Sequence, residues 1–261
     1  MLRSRRQKSS PFPQGAKGYR AYVVGDIHGC LDLLERLIGL IERDLELRPA
    51  RKTVLVFVGD LIDRGPASAQ VLERLRTYRR SGVHTLFLLG NHEEVMLRIL
   101  GGEGDLIDSW LTFGGAQCLE SYGLDPSAIH SMREDEAIDA IRAAVPEAHV
   151  QFLRDFHDSF RFGDYVIVHA GIRPGIELEQ QRQSDLRWIR DPFLLNDQDH
   201  GFVVVHGHTI SEAVDERANR IGIDTGAYAT GRLTALAIEA GERWYLDTSA
   251  PHDSSVMAVN T

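Results

Sequence analysis

The chain has 261 residues, of which 43% are hydrophobic, so it is long enough to bury a sizeable core. Its formal net charge of −9 argues against a protein that holds nucleic acid through the phosphate backbone, because such binding needs clustered lysine and arginine. No run of about 18 apolar residues is present for a membrane span. The only two cysteines, Cys30 and Cys118, suit a reduced compartment, and we expect a cytoplasmic protein.

The first 18 residues carry five basic residues and two prolines, with no acidic residue and no apolar periodicity. This composition predicts a disordered basic tail, which lacks the apolar segment of a secretory signal. We expect one domain over residues 19–247 and a second flexible tail over residues 248–261.

Three continuous apolar runs, at 19–24, 53–58 and 84–89, predict buried strands in the N-terminal half. The segments between them, 31–47 and 67–82, have leucine and isoleucine at helical spacing with charged residues on the opposite side. The order β-α-β-α-β predicts a largely parallel sheet.

The remaining chain divides into a helical region and a second set of strands. Residues 94–157 have a mostly helical pattern and predict a helical insertion over one end of the sheet. Apolar runs at 164–169, 202–207, 220–223 and 232–239 predict a second sheet packed on the first. The fold class is therefore α/β, or α+β by some schemes.

Polar side chains follow five of the predicted strands at the point where each strand ends. They are Asp26 and His28; Asp60, Asp63 and Arg64; Asn91, His92 and Glu93; His169; and His206 and His208. Because ligands bind at the carboxyl ends of strands in an open α/β sheet, we expect these residues to converge.

Carboxylate, imidazole and amide groups together form a ligand set for divalent metal ions. Two ions can be held if one aspartate bridges them, as in two-metal sites that act on phosphorus. The mixture suits manganese, iron or zinc better than calcium, and we expect two ions, with Mn²⁺ favoured.

Five motifs occur in one order: GDIHG (25–29), GDLIDRG (59–65), GNHE (90–93), HAG (169–171) and GHT (207–209). Together they resemble the calcineurin-like metallophosphoesterases, and within them the phosphoprotein phosphatase family in its compact bacterial and phage form. The resemblance runs from about residue 19 to residue 239. It implies a four-layer β-sandwich flanked by helices, with a helical insertion, and the activity of a metal-dependent serine/threonine phosphatase.

The resemblance also implies a role for each matched residue. The metal ligands are Asp26, His28 and Asp60 for the first ion, and Asp60, Asn91, His169 and His208 for the second. A hydroxide shared by the two ions attacks phosphorus directly. His92 protonates the leaving oxygen, Asp63 orients His92, and Arg64 binds the phosphoryl oxygens.

A second phosphate-binding arginine is implied within DLRWIRDPF (185–193), where Arg190 is favoured, Arg187 is a rival, and a surface ion pair is the alternative for either. His206 alternates with His208 along a strand, so both could face the site. We take His208 as the ligand and His206 as a buried neighbour.

Other functions stay open at this point. A symmetrical diadenosine tetraphosphate hydrolase and a promiscuous metallophosphodiesterase share the superfamily, and a degenerate fold could bind phosphorylated partners without catalysis. By the resemblance, the first typically lacks Asp63, has aspartate in place of Glu93 and has tryptophan in place of Thr209, so this chain favours phosphomonoesters. The substrate is then a phosphorylated protein, peptide or small phosphoester, and no oligomeric state can be inferred.

Several other residues receive structural interpretations. Glu93 is expected to cap the helix that follows it, and Cys30 to be a packed small side chain. Trp110 and Phe113 are assigned to core packing in preference to substrate contact. Substrate specificity is assigned to the surface formed by 94–157 and 172–200.

Overall fold

A computed structural model describes residues 12–50 and 52–249 of the chain. The strands are β1 (Arg20–Val24), β2 (Thr53–Phe57), β3 (Val83–Phe87), β4 (Ser159–Phe162), β5 (Tyr165–Val168), β6 (Val203–His206), β7 (Asp215–Glu216), β8 (Arg220–Gly222), β9 (Thr234–Glu239) and β10 (Glu242–Asp247). The helices are α1 (Leu31–Leu47), α2 (Ser68–Thr77), α3 (Asn91–Gly101), α4 (Ile107–Trp110), α5 (Ala116–Ser121), α6 (Pro126–Ser131), α7 (Glu134–Ala144), α8 (Glu147–Arg154), α9 (Gln183–Trp188), α10 (Asp191–Leu194) and α11 (Ala227–Thr230). Short 3₁₀ turns lie at Gly104–Leu106 and Leu178–Gln180, and a π-helical turn at Leu111–Gly115 joins α4 to α5.

The strands form two five-stranded sheets. The first has the order β10-β9-β1-β2-β3, in which β1, β2 and β3 are parallel and β9 and β10 are antiparallel to their neighbours. The second has the order β4-β5-β6-β8-β7, with β5, β6 and β8 parallel. The carboxyl ends of the parallel strands carry the predicted site motifs.

The two sheets pack face to face and each is covered by helices on its other side. Between the sheets, Val23 and Val56 of the first pack in one cluster with Ile167 and Val205 of the second. Helices α1 to α8 share a cluster with the opposite face of the first sheet. Helices α9 and α10 cover the outer face of the second sheet. This is the four-layer arrangement that the resemblance implied.

Alternation of side chains in β1 explains how one strand serves two cores. Ala21 and Val23 face the second sheet, whereas Tyr22 and Val24 face the helices. Both faces are apolar because the central strands of this sheet are buried on both sides. The predicted helical region 94–157 contains α4 to α8 and most of α3.

The predicted tails are only partly within the described residues, since 1–11 and 250–261 lie outside them. Gln14 and Gly15, within the predicted first tail, are hydrogen bonded to both sheets: the Asp164 amide donates to Gln14 O at 2.8 Å, and the Gly15 amide donates to Ala240 O at 2.7 Å. Thr248, predicted to begin the second tail, is buried, and its amide donates to Leu233 O at 3.1 Å. At these positions backbone hydrogen bonds attach the chain to the domain.

None of the helices in the described part of the chain combines the length and hydropathy that crossing a bilayer requires.

Candidate metal centre

The backbone is strained where the sequence motifs lie. Among the described residues, six that are not glycine have positive φ: His28, Asp60, Asp63, Arg64, His208 and Ala240. Five of these six are predicted site residues. A non-glycine residue in the left-handed region costs energy and persists only where the surroundings fix it. The strain therefore marks the same residues as the motif spacing does.

Two groups of metal-capable side chains share the carboxylate of Asp60. In one group, His28 and His92 place Nε2 atoms 3.6 and 3.9 Å from Asp60 Oδ2. In the other, His169 Nε2 lies 3.4 Å from Asp60 Oδ1, and His208 completes the set. All five side chains are buried. One carboxylate between two ligand groups is the arrangement required for a bridged pair of ions.

Backbone carbonyls fix the tautomers of two of these histidines. His28 Nδ1 lies 2.8 Å from Ile62 O, and His169 Nδ1 lies 2.9 Å from Val58 O. Because a carbonyl oxygen only accepts, each Nδ1 carries the proton and each Nε2 presents a lone pair towards Asp60. A ring held in this way by its second nitrogen is the usual setting of a metal-ligating histidine.

Asn91 brings a further oxygen to the second group. Its Oδ1 lies 3.0 Å from His169 Nε2 and 2.8 Å from His208 Nδ1. His208 Nε2 and Asp26 Oδ1 are buried and have no hydrogen-bond partner among the described residues. Oxygen and nitrogen atoms of several buried side chains thus converge here, and such a donor set fits divalent cations.

Burial favours the neutral form of His28, His169 and His208, which metal ligation requires. It lowers the pKa of His28 to about 3 and that of His208 to about 3, and it lowers the pKa of His169. Burial opposes ionisation of Asp60, but the surrounding imidazoles outweigh it and hold the pKa of Asp60 well below its usual range. Metal ligation needs Asp60 as a carboxylate, and a low pKa favours that form.

Asp26 lies beside these groups but is not a member of either. Its Oδ2 accepts a hydrogen bond of 2.9 Å from the amide of His208, which links the end of β1 to the last motif. Burial raises the pKa of Asp26, and the carboxylate of Asp224 raises it further. The assignment of Asp26 as a metal ligand stays a prediction.

His92 and Asp63 form a buried pair. His92 Nδ1 donates to Asp63 Oδ2 at 2.6 Å. Burial lowers the pKa of His92, but the carboxylates of Asp60 and Asp63 outweigh it and raise that pKa to about 9. Arg64 lies against the pair, with Nη2 at 3.2 Å from His92 Nε2. The ring of Tyr228 supports the Arg64 guanidinium from 4.8 Å.

The structure separates the two rival arginines. Arg187 is engaged by carboxylates, with Nη2 at 2.5 Å from Asp158 Oδ1 and Nη1 at 3.1 Å from Glu94 Oε2. Among the described residues, the Arg190 guanidinium makes only long hydrogen bonds, to Thr209 Oγ1 at 3.3 Å and to His208 O at 3.4 Å. Arg190 therefore has donors to spare beside the metal groups, whereas Arg187 is tied to the protein.

A cavity of about 400 Å³ opens onto these residues. Its polar side is formed by Arg64, Asn91, His92, Arg190 and His208, and its apolar side includes Val95, Leu106, Phe113 and Trp188. The cavity therefore has a cationic, polar side and an apolar side.

Comparison with known proteins agrees with this geometry, since residues 19–233 match the calcineurin-like phosphoesterase family. The chain belongs to this family. A serine/threonine-protein phosphatase 1 of Salmonella typhimurium is 31% identical over 233 residues, which cover 86% of this chain and 94% of the relative. An asymmetrical bis(5'-nucleosyl)-tetraphosphatase of Anoxybacillus flavithermus is 25% identical over 254 residues, which cover 88% and 95%.

A solved cold-active protein tyrosine phosphatase has the same fold, with a TM-score of 0.55, 18% identity and coverage of 89% of this chain and 81% of that one. This calcineurin-like phosphoesterase is a metal-dependent hydrolase of phosphoric esters.

In this phosphoesterase Glu93 does more than the predicted helix cap. Its Oε2 accepts from the amides of Gly90 at 3.0 Å and Asp60 at 2.8 Å, and its Oε1 accepts from those of Leu61 at 2.7 Å and Ile62 at 3.3 Å. Burial, and then the Asp60 carboxylate, raise the pKa of Glu93 to about 8, although the amides of Leu61 and Asp60 favour its ionised form. Glu93 thereby fixes the loop that carries Asp60, the carboxylate shared by the two groups.

We expect Glu93→Ala to destabilise the phosphoesterase by about 3 kcal/mol or more, because it leaves buried amides without an acceptor. Chemical denaturation measures this value. Glu120→Ala, a change at an exposed glutamate of α5, is the control and should cost less than about 1 kcal/mol. Equal stability of the two variants would show that the Glu93 contacts do not hold the loop.

Other side chains of the phosphoesterase differ from their sequence interpretations or extend them. Phe113 is 66% exposed and lines the cavity, so the assignment to core packing is wrong for it. Trp110 is buried as expected but also donates from Nε1 to Asp63 Oδ2 at 2.9 Å.

His206 is buried against Phe193 and lies outside both metal groups, because the chain turns to positive φ at His208 and does not continue as a strand. Cys30 is packed in the core as expected.

Proposed function

We propose that this phosphoesterase is a dinuclear serine/threonine protein phosphatase that hydrolyses phosphomonoesters of alcohols. The observation that carries the proposal is the buried pair in which His92 Nδ1 donates to Asp63 Oδ2 at 2.6 Å, beside the bridging Asp60.

The leaving group explains why this pair favours alcohol esters. A serine or threonine alkoxide is a poor leaving group and needs a proton as the ester bond breaks, whereas a nucleoside phosphate leaves as a stable anion. A positioned acid contributes about 10²–10⁴-fold to such a step. The Asp63 carboxylate holds the proton on His92 Nδ1 and stabilises the ring while it is charged, so that Nε2 can deliver a proton.

The metal ions would be held by Asp26, His28 and Asp60 on one side and by Asp60, Asn91, His169 and His208 on the other, and Mn²⁺ is the proposed occupant. When bound, two such ions supply Lewis-acid activation of the attacking water and neutralise charge on the phosphate. The chain's own residues do the rest. Arg64 and Arg190 hold the phosphoryl oxygens while the oxygen of water bonds to phosphorus and the P–O bond to the alcohol breaks. The released oxygen takes the proton from His92 Nε2, and the water supplies the proton that returns the imidazole to its starting state.

We expect Arg190→Ala to lower kcat/KM for a phosphoserine peptide by about 10–100-fold, because one charge-assisted hydrogen bond to phosphate contributes about 1.5–3 kcal/mol. Steady-state kinetics at saturating metal measures it. Arg187→Ala is the matched control: it removes the ion pairs with Asp158 and Glu94 and should lower thermal stability while kcat/KM changes less than about threefold. The reverse ranking in kcat/KM would reassign the phosphate-binding role to Arg187.

A dinucleoside tetraphosphate hydrolase is the second candidate. The observation in its favour is the pair of exposed aromatic side chains in the cavity wall, Phe113 and Trp188, on which a nucleobase could stack. Relatives named as bis(5'-nucleosyl)-tetraphosphatases share this fold and length.

Parallel hydrolysis assays test the two candidates. Protein freed of metal and reloaded with Mn²⁺ is given a phosphoserine peptide, diadenosine tetraphosphate and a cyclic nucleotide. We expect kcat/KM to be highest for the peptide by at least an order of magnitude. A preference for the dinucleotide would overturn the proposal and leave the metal groups in place.

A further inference from the structure

We propose that Trp110 is a positioning residue for the catalytic pair, holding the Asp63 carboxylate so that it orients His92. This inference rests on the proposed function of His92 as the acid. It assigns to the helical insertion a part in the reaction, in addition to the specificity role predicted from the sequence.

One carboxylate oxygen receives both ring N–H groups. Trp110 Nε1 donates to Asp63 Oδ2 at 2.9 Å, and His92 Nδ1 donates to the same oxygen at 2.6 Å. Asp63 is fully buried and Trp110 is 2% exposed. The other oxygen, Oδ1, has no hydrogen-bond partner among the described residues. Rotation of the carboxylate would therefore break two bonds at once, and the indole N–H restricts that rotation.

The turn Leu111–Gly115, which follows Trp110, also holds the backbone of Arg64, the residue after Asp63. The Arg64 amide donates to Gly114 O at 2.9 Å. A Cβ built at Gly114 would lie 2.7 Å from Arg64 N and 2.6 Å from Arg64 Cγ, so only glycine allows this approach. Gly115 lies against the face of the Trp110 indole at a distance that leaves no room for a side chain.

The backbone of Asp63 and Arg64 needs such support. Both residues have positive φ, 71° and 67°, which a side chain adopts at a cost. On the other side, the Asp63 amide donates to Ser68 Oγ at 2.9 Å. Contacts with Trp110, Gly114 and Ser68 thus fix a strained dipeptide that supplies both the orienting carboxylate and a phosphate-binding guanidinium.

The test uses the dependence of rate on the leaving group, which a merely structural role would not change. Trp110→Phe removes the N–H donor and keeps an aromatic ring. The full-length, Mn²⁺-loaded variant is assayed with a phosphoserine peptide and with 2,4-dinitrophenyl phosphate, whose leaving group needs no acid. We expect kcat for the peptide to fall about 10-fold more than kcat for the aryl ester. Ile141→Val, a core change in α7 of the same insertion, is the control for lost packing and should affect both substrates equally.

A second variant removes the N–H donor of residue 110 and preserves the shape of its bicyclic ring. Benzothienylalanine in place of the indole at position 110, introduced by stop-codon suppression, preserves the bicyclic ring and lacks the N–H. It should show the same selective loss, which keeps the proposal testable if Trp110→Phe does not fold. In a His92→Ala background, Trp110→Phe should add no further selective loss, because both act on the same proton transfer.

The outcomes distinguish the proposed role of His92 from that of Trp110. If His92→Ala itself shows no selective loss on the peptide, the proposed role of His92 fails. If His92→Ala shows it and neither position-110 variant does, or if Trp110→Phe lowers both rates equally, the inference about Trp110 is overturned and the proposed function stands.

Discussion

His92→Ala is expected to retain its metal content and to lose at least about 10²-fold in kcat on a phosphoserine peptide, the typical contribution of a positioned acid. The expected loss on 2,4-dinitrophenyl phosphate is much smaller, because that leaving group departs without a proton. Steady-state kinetics with both substrates, together with metal analysis of the purified variant, measure the effect.

Asp63→Asn is the matched variant for this experiment. It preserves the shape of the side chain and removes the charge that stabilises the imidazolium, so it should reproduce much of the selective loss. Unchanged turnover of the phosphoserine peptide by His92→Ala would contradict the assignment of the acid. Loss of metal from that variant would indicate instead that His92 serves as a ligand in the group it forms with His28 and Asp60.

The convergence of the site could be predicted from sequence because it follows from topology alone. Asp26, Asp60 and Asn91 follow β1, β2 and β3, which are parallel neighbours, so their carboxyl ends meet at one edge of the sheet. His169 and His208 follow β5 and β6, a parallel pair in the second sheet. No distance had to be known for these residues to be brought together.

Contacts that depend on how the layers pack could not be predicted in this way. The bond from Trp110 to Asp63 joins residues 47 positions apart through a turn of the insertion, and no spacing rule encodes it. Phe113 lies in the same turn, where an apolar residue can face either the core or solvent, and periodicity does not decide between them. The hydrogen bonds that the amides of residues 60–62 donate to the Glu93 carboxylate likewise depend on where α3 lies relative to that loop.

The strands that the sequence patterns missed lie at sheet edges or beside solvent. β4, β7 and β10 are short or carry several exposed residues, so their apolar signal is weak. The buried strands β1, β2, β5 and β6 were readily predicted, because a strand covered on both faces is a continuous apolar run. Asp26, Asp60, His169 and His208 follow this second kind of strand, whereas Asn91 and His92 follow β3, a partly exposed edge strand of the first sheet.

Asp60→Asn is expected to lose metal and activity together, with activity lowered by about 10³-fold or more, because the substitution removes the charge that both ligand groups share. Asparagine has the same shape and tolerates the positive φ of 49° found at this position, so the fold should be preserved. Circular dichroism checks the fold, and metal analysis with titration calorimetry measures how many ions bind and how tightly.

Asp185→Asn serves as the control for this last prediction, since Asp185 is also a buried carboxylate but pairs with Arg173 and lies outside the metal groups. It should bind metal as the unaltered protein does. If Asp60 bridges the two ions, as proposed, the substitution should weaken the binding of both. If Asp60 were a ligand to one ion alone, the other group could still bind its ion. Retention of a single tightly bound ion by Asp60→Asn would therefore place Asp60 in one group only, and retention of both ions with full activity would exclude it from the centre.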